Sequence, residues 1–163
     1  IAALVLNYWT KDQYRAIRGR GAWINNTRLA GLQMRPPVGS LRLSRPLEDG
    51  DVATYVGLLR SGARIRMTGC PSLDIACVAA GGADAYVDVH GTRSHIGVHD
   101  FLAAAFILHE AGGDTFLDSS LPLNGELNAH DRYSLVSVAS TAAYVRFVRP
   151  HIPEHSVGVR LAF

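Results

Sequence analysis

Apolar residues at the start of the chain occur in short runs separated by polar turns, a pattern typical of antiparallel strands. The run at 1–9 predicts a buried strand, and shorter segments at 14–18 and 22–24 predict two more. The sequence N-N-T at 25–27 is typical of a hairpin turn. We therefore predict an antiparallel meander and assign residues 1–50 to an incomplete N-terminal sheet.

Beyond residue 50 the apolar pattern alternates between strands and helices, and we assign 51–163 to an α/β domain. Predicted strands cover 63–68, 83–89, 115–117 and 134–140, and predicted helices cover 51–62, 71–80, 101–111 and 141–150. Gly62 and Gly81 stand where left-handed helix ends are expected, and Gly112 with Gly113 supplies a helix stop. Leu41 and Leu43 predict an edge strand in an otherwise irregular, proline-containing segment.

Composition narrows the class of protein more than it identifies a function. The 163 residues are 48% hydrophobic and 18% charged, as in an ordinary globular protein with one core. The net charge of +2 and the scattered arginines give no electrostatic case for binding nucleic acid. No apolar run approaches the roughly 18 residues of a membrane span, and no signal peptide is recognisable. We expect a cytoplasmic location and, since no initiator Met is present, further sequence before Ile1.

The two cysteines, Cys70 and Cys77, are predicted to remain thiols. Seven residues along a helix correspond to about 10.5 Å, whereas a disulfide requires Cα atoms within roughly 7 Å. A cysteine at a helix start can be a nucleophile. However, the phosphatase pattern C-x5-R would require arginine at position 76, which is Ala76, so we interpret Cys70 as a half-buried structural residue.

The sequence Gly69-Cys70-Pro71 lies between a predicted strand and a predicted helix. The amide groups at a helix start, together with the positive end of the helix dipole, favour an anion such as phosphate. Every strand-to-helix turn has some of this chemistry. A phosphate site and an ordinary turn therefore both remain open on local evidence.

Two carboxylates also have two interpretations each. Asp88 ends a strand in which alternation places it on the same face as Asp84 and Tyr86; it either accepts hydrogen bonds from substrate hydroxyls or is a solvated strand end. Asp100 opens a helix that is otherwise apolar, where it either caps the helix or holds a metal ion. Glu110, near the other end of that helix, is unfavourable for the dipole and is expected to have a partner elsewhere.

Histidines are dense in the loop before this helix, at His90, His95 and His99. Together with Asp100 they could hold zinc, although their spacing matches no established metal-site pattern. We expect histidines that face the surface or the substrate.

The stretches G-C-P-S-L-D-I-A-C-V-A-A-G-G-A-D-A-Y-V-D and H-D-F-L-A-A-A-F-I-L-H-E-A-G-G resemble the carboxy-terminal half of the inositol monophosphatase family. The turn R-G-R-G-A-W-I-N-N is similar to an earlier hairpin of that family. The resemblance spans most of 4–140 and implies a layered sandwich of sheets and helices.

This resemblance also implies Mg²⁺-dependent hydrolysis of a phosphate monoester on a small polyol or sugar. Asp100 matches the aspartate of the signature W-D-x-A-A, a metal ligand. Gly69, Cys70 and Pro71 match the turn that holds phosphate, and Asp88 matches an acidic residue that contacts substrate hydroxyls. The family further implies a homodimer.

The chain departs from the family pattern in three ways. His99 replaces the usual Trp, and the loop 89–98 is longer than the family norm, so His95 and His99 are candidate substrate contacts. The motif D-P-x-D-G-T and its preceding glutamate, which supply the other metal ligands, are missing from these residues and are expected before Ile1. The segment alone is therefore expected to be inactive, and a non-catalytic binding or assembly module is the alternative.

Overall fold

A computed structural model describes residues 1–29, 40–43, 52–88, 96–117, 127–152 and 158–163. The strands are β1 (Ala2–Leu6), β2 (Gln13–Ile17), β3 (Gly21–Ile24), β4 (Thr27–Arg28), β5 (Ser40–Leu43), β6 (Arg64–Met67), β7 (Ala85–Asp88), β8 (Asp114–Leu117), β9 (Leu135–Val138) and β10 (Val159–Arg160). The helices are α1 (Val52–Arg60), α2 (Pro71–Ala79), α3 (Val98–Glu110) and α4 (Thr141–Ala143), which continues as a π turn at Tyr144–Val148 and a 3-10 turn at Arg149–His151. Within these residues, none of the helices has the length and apolar character needed to cross a membrane.

The first three strands form the predicted antiparallel meander, and the two-residue strand β4, which was not predicted, extends it in the order β1-β2-β3-β4. The first strand ends at Leu6, earlier than predicted. The strand ends early because of Asn7, whose side-chain oxygen accepts hydrogen bonds from the amides of Trp9 (3.0 Å) and Thr10 (3.2 Å) and so turns the chain.

The second sheet has the order β10-β8-β9-β7-β5-β6, with β5 parallel to both of its neighbours. The prediction of an edge strand at Leu41 and Leu43 was therefore wrong, because β5 lies between β7 and β6. It also pairs with the second sheet although our division grouped it with residues 1–50. The division into two domains itself stays a prediction.

Helices α2 and α3 pack between the two sheets, and α1 and the C-terminal helical turns cover the other face of the second sheet. Buried alanines on both inner helices, such as Ala76 and Ala104, let them approach each other closely. The result is a layered α/β sandwich preceded by a meander, as predicted. Its inner helix layer is where the candidate site lies.

Candidate functional site

The turn before α2 has the backbone that a strand-to-helix anion site requires. Gly69 has φ +76°, which favours glycine, and Cys70 is an extended residue immediately before the helix. Pro71 is the first helical residue, as predicted. The Thr68 hydroxyl donates to the Asp74 carboxylate at 2.7 Å and fixes the turn to the first part of the helix. The first amides of α2 are thus presented at an exposed, well-defined turn.

Helix α3 begins three residues earlier than predicted, at Val98, so Asp100 is its third residue and Gly97 precedes it. The Gly97 amide donates to Asp100 Oδ2 at 2.9 Å, and the Asp100 amide donates to the Gly97 carbonyl at 2.9 Å. Asp100 therefore caps the helix with one carboxylate oxygen. Its other oxygen, Oδ1, lies 3.6 Å from His99 Nε2, and 40% of the side chain is exposed.

The starts of α2 and α3 are in direct contact. The Ser72 hydroxyl, one residue after Pro71, donates to the backbone carbonyl of Asp100 at 2.5 Å. The turn at Gly69 and the carboxylate of Asp100, which are separated by 31 positions in the sequence, therefore lie at one place in the fold. This is the juxtaposition that a phosphate cradle beside a cation ligand would need.

Asp88 ends β7 and is completely buried, which contradicts the interpretation of a solvated strand end. The Tyr86 hydroxyl donates to Asp88 Oδ2 at 3.2 Å, in agreement with their predicted common face. Burial of a carboxylate is costly unless hydrogen bonds or charges compensate for it. Asp88 is therefore held as part of an internal polar arrangement.

The histidine loop lies largely outside the described residues, which include neither His90 nor His95. His99 is described and is 66% exposed beside Asp100. In the described ranges no group of three or more His, Cys, Asp or Glu residues could hold a metal ion. The zinc hypothesis gains no support from them.

The absence of such a group of ligands from the described ranges also limits the magnesium assignment. Asp100 offers the partly exposed carboxylate oxygen that Mg²⁺ prefers. Because a divalent ion needs several oxygen ligands, one carboxylate does not complete a site. The remaining ligands would have to come from outside the described part of the chain.

Both cysteines are free, as predicted, and both are half-buried. Cys77 packs against Gly82: a Cβ built there would lie 2.5 Å from Cys77 Sγ. This close contact gives Cys77 a structural explanation.

Two further side chains, Glu110 and Arg132, make contacts that the sequence predicted only in part. Glu110 was expected to have a distant partner, and it accepts hydrogen bonds from the amides of Gly19 (2.9 Å) and Gly21 (3.0 Å) in the meander. Arg132, in contrast, had no distinguishing signal among the scattered arginines. In the structure it lies beside Gly97: a Cβ built at that glycine would be 3.0 Å from Arg132 Nη1.

Two sheets enclose a helix layer, in which a strand-to-helix turn lies next to the Asp100 carboxylate. This arrangement defines an α/β protein with a candidate phosphate site. The family model for the inositol monophosphatase family matches residues 1–136. The chain belongs to this family.

Relatives and solved structures agree with this assignment. A fructose-1,6-bisphosphatase/inositol-1-monophosphatase of Methanothermobacter thermautotrophicus is 27% identical over 153 residues, which cover 91% of this chain and 52% of the relative. Nus factor SuhB of Pseudomonas aeruginosa is 30% identical over 159 residues, covering 93% and 56%. The chain thus spans about half the length of the curated relatives it matches.

Solved structures share the fold, and the chain again covers little more than half of their length. Inositol monophosphatase II of Staphylococcus aureus superposes with a TM-score of 0.73 at 20% identity, over 95% of this chain and 58% of that one. A Pyrococcus horikoshii protein with similarities to inositol-1 monophosphatase gives 0.76 at 19% identity, over 94% and 57%. At these identities the likeness establishes the fold alone.

Proposed function

We propose that the protein, in its full-length form, is a Mg²⁺-dependent phosphomonoesterase that hydrolyses inositol phosphate or a related sugar phosphate. The observation that carries the proposal is the hydrogen bond from the Ser72 hydroxyl to the Asp100 backbone carbonyl, which joins the starts of α2 and α3 and so brings the turn at Gly69 close to Asp100. Family membership supports the same chemistry. We also propose a cytoplasmic homodimer.

Each candidate residue has a distinct part in this proposal. The amides that follow Gly69 and Cys70, with the dipole of α2, bind and orient the phosphate. Asp100 uses Oδ2 for the helix cap and offers Oδ1 to the cation. A bound Mg²⁺ would neutralise phosphate charge and lower the pKa of its water. His95 and His99 are proposed contacts for the hydroxyl groups of the substrate. For Asp88 this role is proposed from the family resemblance alone, because its side chain is completely buried in this structure.

The remaining metal ligands are proposed to come from sequence that precedes Ile1. This part of the proposal has a direct test, because the 163-residue segment should release no phosphate in the presence of Mg²⁺. Substantial turnover by the segment itself would contradict the need for additional ligands.

The alternative is a non-catalytic binding or assembly module. Relatives named Nus factor SuhB, among them the one from Pseudomonas aeruginosa, support a role other than catalysis. The two functions differ in whether the full-length protein turns over a phosphate monoester. They also differ in whether its upstream sequence contains D-P-x-D-G-T.

The decisive variants are Asp100→Asn and Asp100→Ala in the full-length protein. Asparagine keeps an oxygen that accepts the Gly97 amide bond but loses the negative charge, so phosphate release should fall by orders of magnitude with little change in melting temperature. Alanine also loses the cap and should destabilise the protein by about 1 kcal/mol. Both are measured by Mg²⁺-dependent phosphate release and thermal unfolding.

Ser72→Ala serves as the matched control. It removes the bond to the Asp100 carbonyl but leaves the carboxylate in place. Its loss of activity should be far smaller than that of Asp100→Asn. An Asp100→Asn protein with near-normal turnover would contradict the role as a cation ligand and leave only the cap.

A further inference from the structure

The starts of α2 and α3 meet at the candidate site but are closed in different ways. At α3 the carboxylate of Asp100 accepts from the Gly97 amide and caps its own helix. At α2 the Cys70 side chain makes no capping hydrogen bond with the described residues. Pro71 has no amide proton, and the Asp74 amide donates to the Cys70 carbonyl at 3.0 Å to begin the helical pattern. The amides of the first turn of α2 are therefore available to an external anion.

The turn at Gly69 has little packing of its own to hold its shape. Gly69 has φ +76°, and beyond its chain neighbours no described atom lies within 4 Å of a Cβ built there. Glycine can adopt many backbone conformations at such a position. Each alternative conformation would redirect the amides that follow and lower the fraction of molecules that can bind phosphate. An anion site at this turn therefore needs a contact that fixes the turn from the protein side.

A buried carboxylate makes that contact. Asp74 is 0% exposed, and its Oδ1 accepts a hydrogen bond from the Thr68 hydroxyl at 2.7 Å. The bond joins the residue before Gly69 to the first part of α2, so that the turn is closed across its base. Inside a protein such a bond is electrostatically stronger than in water. Because it uses side-chain atoms alone, it leaves the amides of the turn uncommitted.

We infer that Asp74 is a positioning residue: through Thr68 it holds the turn at Gly69 in the conformation that binds phosphate, without touching the phosphate itself. The inference rests on the proposed function, in which this turn holds the reacting phosphate. The two helix starts use their carboxylates differently. Asp100 engages an amide of the backbone before α3, whereas the carboxylate near the start of α2 is engaged by a hydroxyl.

The test removes the Thr68 hydroxyl in the full-length protein, because Thr68 is exposed and its substitution opens no cavity. Thr68→Val keeps the shape of the side chain. It should raise the KM for inositol 1-phosphate, and the Kd for inorganic phosphate in the presence of Mg²⁺, by roughly fivefold or more. The kcat should change less than the KM, because bound phosphate itself orders the turn. Thr68→Ser keeps the hydroxyl and should restore both constants.

Thr141→Val is the matched control. The Thr141 hydroxyl donates to Oδ2 of Asp114, which is 5% exposed, so this pair is also a threonine hydroxyl on a buried carboxylate. Thr141 begins α4, on the other face of the second sheet. Thr141→Val should lower the melting temperature about as much as Thr68→Val. It should leave the KM and the phosphate Kd unchanged.

A double-mutant cycle assigns the effect to the pair. If Thr68 acts through Asp74, adding Thr68→Val to Asp74→Ala should weaken phosphate binding no further. A full additional effect in that background would contradict the role of Asp74. If Asp74→Ala does not fold, the Thr68 variants decide alone.

Two further outcomes would overturn the inference. One is a Thr68→Val protein with parental KM and phosphate affinity, and the other is an equal loss in Thr141→Val, which would indicate general loosening. Should Thr68→Val not fold, Thr68→Ala removes the same hydroxyl without placing a methyl group against the carboxylate. The same outcomes then apply to it.

Failure of the proposed function has a different signature: the unmodified full-length protein would not hydrolyse inositol 1-phosphate. Calorimetric titration with inorganic phosphate then decides about Asp74 without turnover. Phosphate binding that Thr68→Val weakens and Thr68→Ser restores supports the positioning role. An absence of binding, or binding that is indifferent to Thr68→Val, refutes it.

Discussion

Asp100 shows how one carboxylate can satisfy two interpretations that looked exclusive in the sequence. Oδ2 accepts the Gly97 amide, which is the reciprocal cap expected of an acidic third residue. Oδ1 is left on the partly exposed side, next to His99. Capping therefore orients the carboxylate and does not exclude a cation. The spacing Gly97-x-x-Asp100 was the available signal for the true helix start.

Gly113 is required by a different constraint, lack of space. A Cβ there would lie 2.4 Å from Leu108 Cδ1 and 2.6 Å from the carbonyl oxygen of Val138. Leucine can move, but the carbonyl belongs to β9 in the centre of the sheet. Gly113→Ala should therefore lower the free energy of unfolding by about 1–3 kcal/mol, measured by urea denaturation.

The neighbouring glycine provides the control for Gly113. Gly112 has φ +96° and nothing within 4 Å of a built Cβ, so Gly112→Ala costs backbone strain alone, about 1 kcal/mol. Gly113→Ala should be the more damaging of the two. A Gly113→Ala protein as stable as the parent would show that β8 and β9 have room to separate.

At the scale of elements, Glu110 connects the end of α3 to the turn between β2 and β3. Its two carboxylate oxygens accept from the amides of Gly19 and Gly21. Glu110→Gln keeps one acceptor and turns an NH2 group toward the other amide, so unfolding free energy should fall by about 1 kcal/mol. Hydrogen exchange of the Gly19 and Gly21 amides should become faster, as measured by NMR.

Asp131→Asn is the comparison for Glu110→Gln, because Asp131 is exposed in a turn and changes charge by the same amount. Exchange at Gly19 and Gly21 should be unaffected by it. If both amides exchange at the parental rate in Glu110→Gln, the two hydrogen bonds do not hold this turn against the helix.

The elements that the sequence predicted well are those set by local patterns. The meander followed from short apolar runs and turns, and Gly62, Gly81 and Gly112 all have the positive φ expected of helix ends. The position of β5 was missed because parallel pairing is a long-range choice that an irregular proline-containing segment does not encode locally. The contact between Ser72 and Asp100 is likewise tertiary, and no local pattern in the sequence predicts it.

At the scale of the whole molecule, the meander has two unlike faces. Val5, Tyr14 and Ala16 are buried toward the inner helices, whereas the alternate residues Leu4 and Leu6 are 59% and 50% exposed. The outer face of this sheet therefore exposes these two leucines to water, beside Gln13 and Arg15 of β2. Such a patch favours association.

We expect the 163-residue polypeptide to self-associate through this outer face, so that its sedimentation coefficient rises with concentration. Leu4→Thr combined with Leu6→Thr should shift it toward monomer with little loss of melting temperature, because threonine favours strands and both positions are exposed. Leu59→Gln removes a 52% exposed leucine from α1, on a different layer, and should leave association unchanged. A parent that stays monomeric at high concentration, or equal effects of the two variants, would show that the patch does not drive association.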